Sequence, residues 1–310
     1  MINNQVFVYG EIAIDNIINV PHEVDREMDT FVIEDHYMIG GLASNVAVLL
    51  SLWQTPVGLS GYALGDDHYG RLMMQMLGEY PMLDLSHVTI KKGANSAFCR
   101  IIVTPNGDRY ILAFNLEERV KDPTPLTNEM LGKASHFVLD CLAREESFLP
   151  AMKLAHKMDL CVIGSDINRL DSPVIPYVHV ICNSAGLLRK LNSDDDVCNF
   201  SRRLNKSSGP IVITTDGPYA VHVIDSDGEE FWAHPLPIEG KLVVDTTGAG
   251  DSLKAGVTYG LVQGWPLERA VSFGVVVSGL IIQAVGAVSR EPKVEEILSL
   301  IDLVRITKDR

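Results

Sequence analysis

Val243-Val244-Asp245-Thr246-Thr247-Gly248-Ala249-Gly250-Asp251-Ser252-Leu253-Lys254-Ala255-Gly256 is the stretch on which the reading turns. A short apolar extended run enters a glycine loop, and a helical pattern follows over 251–263. Gly248 and Gly250 allow a sharp turn and a close approach of backbone to a ligand. Amides in the first turn of the helix lack intrahelical partners and sit at the positive end of its dipole. Together they make a cradle for an anion such as a phosphoryl group. Asp251 falls in that first turn. A carboxylate there can take the proton of an attacking hydroxyl, a role that contributes about 10²–10⁴ in rate. The rest of such a reaction needs amides and a metal to neutralise the transferring group. An aspartate after Gly-x-Gly is also an ordinary helix cap, and the loop alone does not separate the two readings. Neither GxxxxGK[ST] nor a strand-anchored GxGxxG occurs, so a P-loop and a dinucleotide fingerprint are excluded.

Outward from this loop, short apolar runs alternate with helical patterns. Strands are expected at 5–10, 57–63, 136–140, 160–165, 178–182 and 211–215, with helices at 42–53, 69–79, 145–156 and 197–204. That alternation implies an α/β fold with a central, mainly parallel sheet and helices on both faces. Helices at 266–284 and 292–305 each start at a proline. Two regions break the rhythm. Extended pieces at 16–20 and 30–38 have no helix between them, and 98–104 with 109–114 read as a hairpin turning at Pro105-Asn106-Gly107-Asp108. These four strands are expected to form a small β-sheet lid or interface.

The 310 residues suffice for a single α/β domain with such an appendage. Forty acidic against 26 basic side chains give a net charge of −14, which disfavours nucleic acid as a partner. An anionic ligand must then be held by local amides and a metal ion. Cys99, Cys141, Cys161, Cys182 and Cys198 are scattered, which predicts reduced thiols rather than a disulfide framework or zinc site. The N-terminus lacks the pattern of a secretory signal, so a cytoplasmic location is expected. Residues 270–288 carry no charge, but their glycines and polar residues favour a helix buried inside the fold over a membrane span.

Asp245-Thr246-Thr247-Gly248-Ala249-Gly250-Asp251-Ser252 with Ala255-Gly256 resembles the second motif of the PfkB/ribokinase-like carbohydrate kinases. Gly40-Gly41-Leu42-Ala43-Ser44-Asn45-Val46-Ala47 resembles their first, GGxxxNxA. Gly58, Gly61, Gly65-Asp66-Asp67 and Gly70 follow at similar spacing, and Gly10-Glu11 with Asp15, Asp166-Ile167-Asn168-Arg169, Ile213 to Gly217 and Gly286-Ala287 match in order. The resemblance implies one ribokinase-like domain over 1–310, with a lid formed by about 12–38 and 96–116. It implies ATP-dependent phosphorylation of a hydroxymethyl group of a sugar or sugar-like molecule. Asp251 would be the general base, with Gly248, Ala249 and Gly250 as the anion hole. Asp15, Gly40, Gly41 and Asn45 would hold the acceptor, and Ile12, Ile14, Met38 and Phe98 would line it. Asn183, Thr215, Gly217, Gly248, Gly250, Ala284 and Gly286 would contact ATP. Mg²⁺ is implied, with Asp166 as a candidate ligand, and a K⁺ site is implied at Asp245 and Thr247. A homodimer through the lid follows from Phe31, Ile33, Phe98 and Ile102. One departure stands out: the family's NxxE reads Asn183-Ser184-Ala185-Gly186 here, without the glutamate. A nucleoside kinase, and a non-catalytic sugar-binding regulator on the same scaffold, are the competing readings.

Overall fold

The computed structural model describes residues 5–25, 27–105, 109–115, 123–140, 145–191, 196–206, 209–237 and 243–308. The strands are β1 (Val6–Gly10), β2 (Ala13–Asn19), β3 (Glu34–Gly40), β4 (Val57–Gly61), β5 (Leu64–Gly65), β6 (Leu83–Asp84), β7 (Ile90–Lys91) and β8 (Phe98–Val103), then β9 (Arg109–Phe114), β10 (His136–Asp140), β11 (Cys161–Ser165), β12 (Val180–Ser184), β13 (Ile211–Thr215), β14 (Val221–Ile224), β15 (Glu230–His234) and β16 (Arg305–Thr307). The helices are α1 (Leu42–Leu52), α2 (His68–Leu77), α3 (Asn128–Leu131), α4 (Glu145–Lys157), α5 (Ala185–Leu191), α6 (Val197–Asn205), α7 (Ala249–Val262), α8 (Leu267–Ile281) and α9 (Val294–Leu300).

Ten strands form one sheet in the order β16-β15-β14-β13-β12-β11-β10-β1-β4-β6. From β6 to β13 every pairing is parallel; β14, β15 and β16 extend that edge antiparallel. Side-chain alternation along β1 explains the two cores. Val6 and Val8 join the apolar cluster under α1, α7 and α8, whereas Phe7 and Tyr9 join the cluster under α4 and α6. A sheet buried on both faces needs apolar residues at successive positions, and all five residues of β1 are buried. Helices α7 and α8 pack closely because Gly256 faces Gly274 and Gly260 faces Ala270. A Cβ on Gly256 would lie 2.5 Å from the Gly274 Cα. This explains the uncharged run at 270–288: Ala270 to Val277 are core residues of α8. No helix among the described residues is long and apolar enough to cross a membrane.

The four irregular strands form a separate sheet, β3-β2-β8-β9, with β2 and β8 parallel and the outer pairs antiparallel. The hairpin strand Arg109–Phe114 is as expected from sequence, while residues 106–108 of its turn lie outside the described residues, as does Cys141. The other four cysteines are free thiols. The helix expected over 292–305 stops at Leu300, and Arg305–Thr307 leaves it to pair with β15. Ile301–Leu303 tighten into a 3₁₀ turn that still buries Ile301 and Val304, and the open sheet edge takes the residues after it.

Candidate active site

The carboxyl ends of β11, β12 and β13 open toward the glycine loop, which is where ligands bind in open α/β sheets. Gly248 caps α7 at φ +75°, a conformation that glycine alone adopts without strain, and a Cβ there would stand 2.4 Å from the Ala287 Cβ. Gly250 has nothing within 4 Å of its Cβ position, so the backbone there faces open space. The loop therefore presents bare backbone at a helix N-terminus, as an anion cradle requires.

Asp251 follows in the first turn and is buried, with 8% exposure. Its Oδ2 accepts a hydrogen bond from Asn45 Nδ2 of α1 at 2.9 Å. Its Oδ1 lies 3.7 Å from the ammonium of Lys254, one turn along α7. Burial pushes the Asp251 carboxyl up, while Lys254 and Asn45 pull it back. Asn45 is itself buried, and its Oδ1 has no hydrogen-bond partner. A hydroxyl entering here would find that acceptor waiting.

Asp15 reaches the same space from β2 of the small sheet. Gly40 pairs two residues away on β3, and a Cβ on it would lie 2.4 Å from the Asp15 Cγ. Gly41 at φ +85° starts α1 and closes on the Glu11 carbonyl, which caps the amides of Ala43 and Ser44. Burial raises the Asp15 carboxyl to about 6; the charges of Asp245 and Asp251 add to this, and the Cys99 thiol opposes it. The four acceptor-side residues expected from sequence thus come together with Asp251. Ile12 and Ile14 do not line this space: both belong to the buried core, and Phe98 instead stacks between Tyr69 and Phe114. Strand alternation turned those side chains to the other face.

Two cavities meet at the loop. One, of about 220 Å³, is lined by Ser165, Asp166, Asn183, Thr215, Asp251 and Lys254 together with the loop. The other, of about 340 Å³, is largely apolar and lies between Thr215, Gly217, Leu236, Val243, Gly279 and Ile282. Ala249 and Gly250 border both. Among the expected nucleotide contacts, Asn183, Thr215, Gly217, Gly248 and Gly250 line these cavities; Ala284 and Gly286 line neither. The Gly286 amide donates instead to Asp245 Oδ2 at 2.8 Å, and a Cβ on Gly286 would collide with Met38 of the lid. The aliphatic residues around Leu236 and Ile282 carried no motif, and only their convergence in space picks them out.

The sequence reading also missed Arg109. From β9 it donates to Asp245 Oδ1 at 2.7 Å and to Thr247 Oγ1, while Thr247 donates its own amide and hydroxyl to Asp245. Asp245 and Thr247, the residues expected at a K⁺ site, thus share their oxygens with this guanidinium. No group of three or more His, Cys, Asp or Glu among the described residues could hold a metal ion. Asp166, whose carboxyl is raised by burial, and Asn183, whose Oδ1 is buried without a partner, face the smaller cavity. Mg²⁺ commonly keeps several waters and binds through one or two carboxylates plus substrate phosphates, and this sparse pair fits that habit. At Gly186 there is room but no carboxylate.

The chain is similar to known proteins over nearly its whole length. The family described as pfkB family carbohydrate kinase matches residues 3–294. An ATP-dependent 6-phosphofructokinase of Thermoanaerobacterium thermosaccharolyticum is 39% identical, over 97% of this chain and 95% of that one. A ribokinase of Lactococcus lactis is 25% identical over 94% and 95%. The structure of Arabidopsis thaliana ribokinase complexed with ribose and ATP superposes with a TM-score of 0.82 at 18% identity, over 97% of this chain and 99% of that one. On the matched length and the ordered motifs together, the chain belongs to the PfkB family of carbohydrate kinases.

Proposed function

We propose that this kinase transfers the γ-phosphoryl group of ATP to a hydroxymethyl group of a sugar or sugar phosphate. The observation that carries the reading is Asp251, buried at the floor of the cavity beside the bare Gly248–Gly250 backbone and held by Asn45 at 2.9 Å. The acceptor lies under the lid with its hydroxyls on Asp15, Asn45 and the Gly40-Gly41 turn. Its reacting hydroxyl gives its proton to Asp251 as the oxygen bonds to the γ-phosphorus. The bond from phosphorus to the bridging oxygen of ADP breaks, and the loop amides receive the charge on the transferring group. Mg²⁺, when bound, supplies further charge neutralisation; Asp166 and Asn183 would hold it with phosphates and water. The apolar cavity between Leu236 and Ile282 suits the adenine.

A relative sharing 39% of residues is named an ATP-dependent 6-phosphofructokinase, so a ketohexose phosphate heads the acceptor screen. The screen measures ADP release with ATP and Mg²⁺ across sugar phosphates, free sugars and nucleosides, in the wild type and in D251N. Turnover with one class, lost in D251N, is expected. Tight acceptor binding without ADP release would instead establish a non-catalytic binder.

The outer face of the lid supports a homodimer. Phe31 and Ile33 are 77% and 68% exposed, and Tyr110 and Leu112 of β9 are also exposed. Light scattering should give twice the chain mass, falling to a monomer in F31D/I33D.

A further inference from the structure

We infer that Lys254 is a positioning residue of this site, whose ammonium sits beneath the cavity between Ser165 and Asp251 and keeps the base carboxylate ionised and oriented. The inference rests on the role given to Asp251 above. Lysine is almost never fully buried unless paired, yet Lys254 is 2% exposed, on a helix buried at every position from Asp251 to Gly260. An apolar residue would pack there at no electrostatic cost. Its Nζ donates to Ser165 Oγ at 3.2 Å, at the end of β11, and stands 3.7 Å from Asp251 Oδ1. The spacing i, i+3 puts both side chains on one side of α7. Each carboxylate oxygen is thus held by a different element: Oδ2 by Asn45 of α1, Oδ1 by Lys254.

The charge balance gives the arrangement its purpose. Asp251 is faced by Lys254 on its own helix, by the neutral Asn45 from α1, by Asp15 from the lid and by Asp166 from the end of β11. Burial favours a protonated Asp251, and a protonated acid cannot accept the acceptor's proton. Lys254 opposes that effect, and its charge also reaches Asp166.

K254M, close in length, removes the charge; S165A removes only the hydroxyl that anchors it. Two readouts apply: the acidic limb of kcat/KM against pH, and the midpoint of the Asp251 carboxyl by ¹³C NMR with labelled aspartate, assigned through D251N. In K254M the limb and the midpoint should rise by about one pH unit or more, with kcat down about 10–100-fold and the ATP dissociation constant within about threefold. S165A should move both readouts the same way by less. An Asp251 midpoint unmoved in K254M overturns the inference, whatever happens to the rate; if K254M does not fold, S165A decides by the same criterion. A wild type that releases no ADP with any acceptor sinks the proposed function, while the NMR midpoint still judges Lys254.

Discussion

The floor of the cleft and its lid are built on opposite principles. The floor is the Gly248–Asp251 turn and α7, wedged against α1 and α8. Gly248 is pressed on Ala287, and Asp251 is held by Asn45 and Lys254. The lid is a four-stranded sheet that contributes Asp15 and Arg109 on one face and leaves Tyr110 and Leu112 exposed on the other. A packed floor keeps reacting groups in place without reorganisation, which is what phosphoryl transfer requires of a protein. The lid is rooted in the core through Ile14 and Ile39 and through Phe98 stacked on Tyr69, while its outer strand β9 is exposed along its whole length and can adjust to the acceptor. The contrast implies that floor substitutions change the chemical step, whereas lid substitutions change acceptor affinity.

The largest effect should come from D251N. It keeps the shape and the Asn45 neighbour but removes the proton acceptor, so kcat should fall about 10²–10⁴-fold with ATP binding retained. Steady-state rates together with calorimetric ATP titration check this. An unchanged kcat would remove the floor from the chemistry altogether.

Next in size is the pair G248A and G250A, which divides the floor itself. G248A places a side chain at φ +75° and 2.4 Å from Ala287, so it should lower stability by about 2–4 kcal/mol. G250A meets nothing within 4 Å. It should melt like the wild type yet lose activity, because its methyl group narrows the anion cradle. Thermal melts and rates on the same samples separate the two. Equal losses of stability would show that the loop is uniformly packed rather than open at Gly250.

How far the sequence revealed this site follows the same division. The floor was legible because glycines, a helix start and an aspartate in fixed order have few alternative explanations once the first motif stands beside them. The small sheet was legible from its lack of a helix and its hairpin turn residues. Strands β14 and β15 pair locally, Ile224 with Glu230, and were overlooked rather than hidden. Strand β16 was not legible, because an edge strand depends on a partner far along the chain: Ala233 pairs with Ile306. Arg109 was hidden for the same reason, since its partners are Asp245 and Thr247. Lys254 was in plain view inside the motif, but burial alone shows that its charge needs an explanation.

On the lid side, Asp15 should make acceptor binding pH-dependent. Its carboxyl is raised from 3.8 to about 6. For the free enzyme, the stability linked to its protonated form is fully present below 3.8 and is lost as pH rises through about 6. The difference amounts to roughly 3 kcal/mol at neutral pH. D15N should therefore stabilise the free enzyme at pH 8 but not at pH 3.5. An acceptor hydroxyl donates to the ionised form, so wild-type affinity should fall about tenfold per pH unit below 6, and calorimetry at pH 5 and 7.5 measures it. Affinity flat across that range would mean that Asp15 does not receive an acceptor hydroxyl.

The smallest effect, and the sharpest test of the contrast, belongs to Arg109. Its side chain is 30% exposed and its partner Asp245 only 10%, so solvent screens the pair from one side and its strength is modest. It nevertheless joins the lid edge to the first residue of the loop motif, and Thr247 and Gly286 also donate to that same carboxylate. Removing the guanidinium leaves Asp245 with those donors, so the floor should keep its shape. R109A is then expected to raise the acceptor KM about 3–10-fold, with kcat within about twofold, and the increase should shrink in high salt. R109K should recover part of it, because it restores the charge without the planar fork. If R109A instead lowers kcat on the scale of D251N with KM unchanged, the lid acts on the reacting atoms through Asp245, and the division between floor and lid fails at this ion pair.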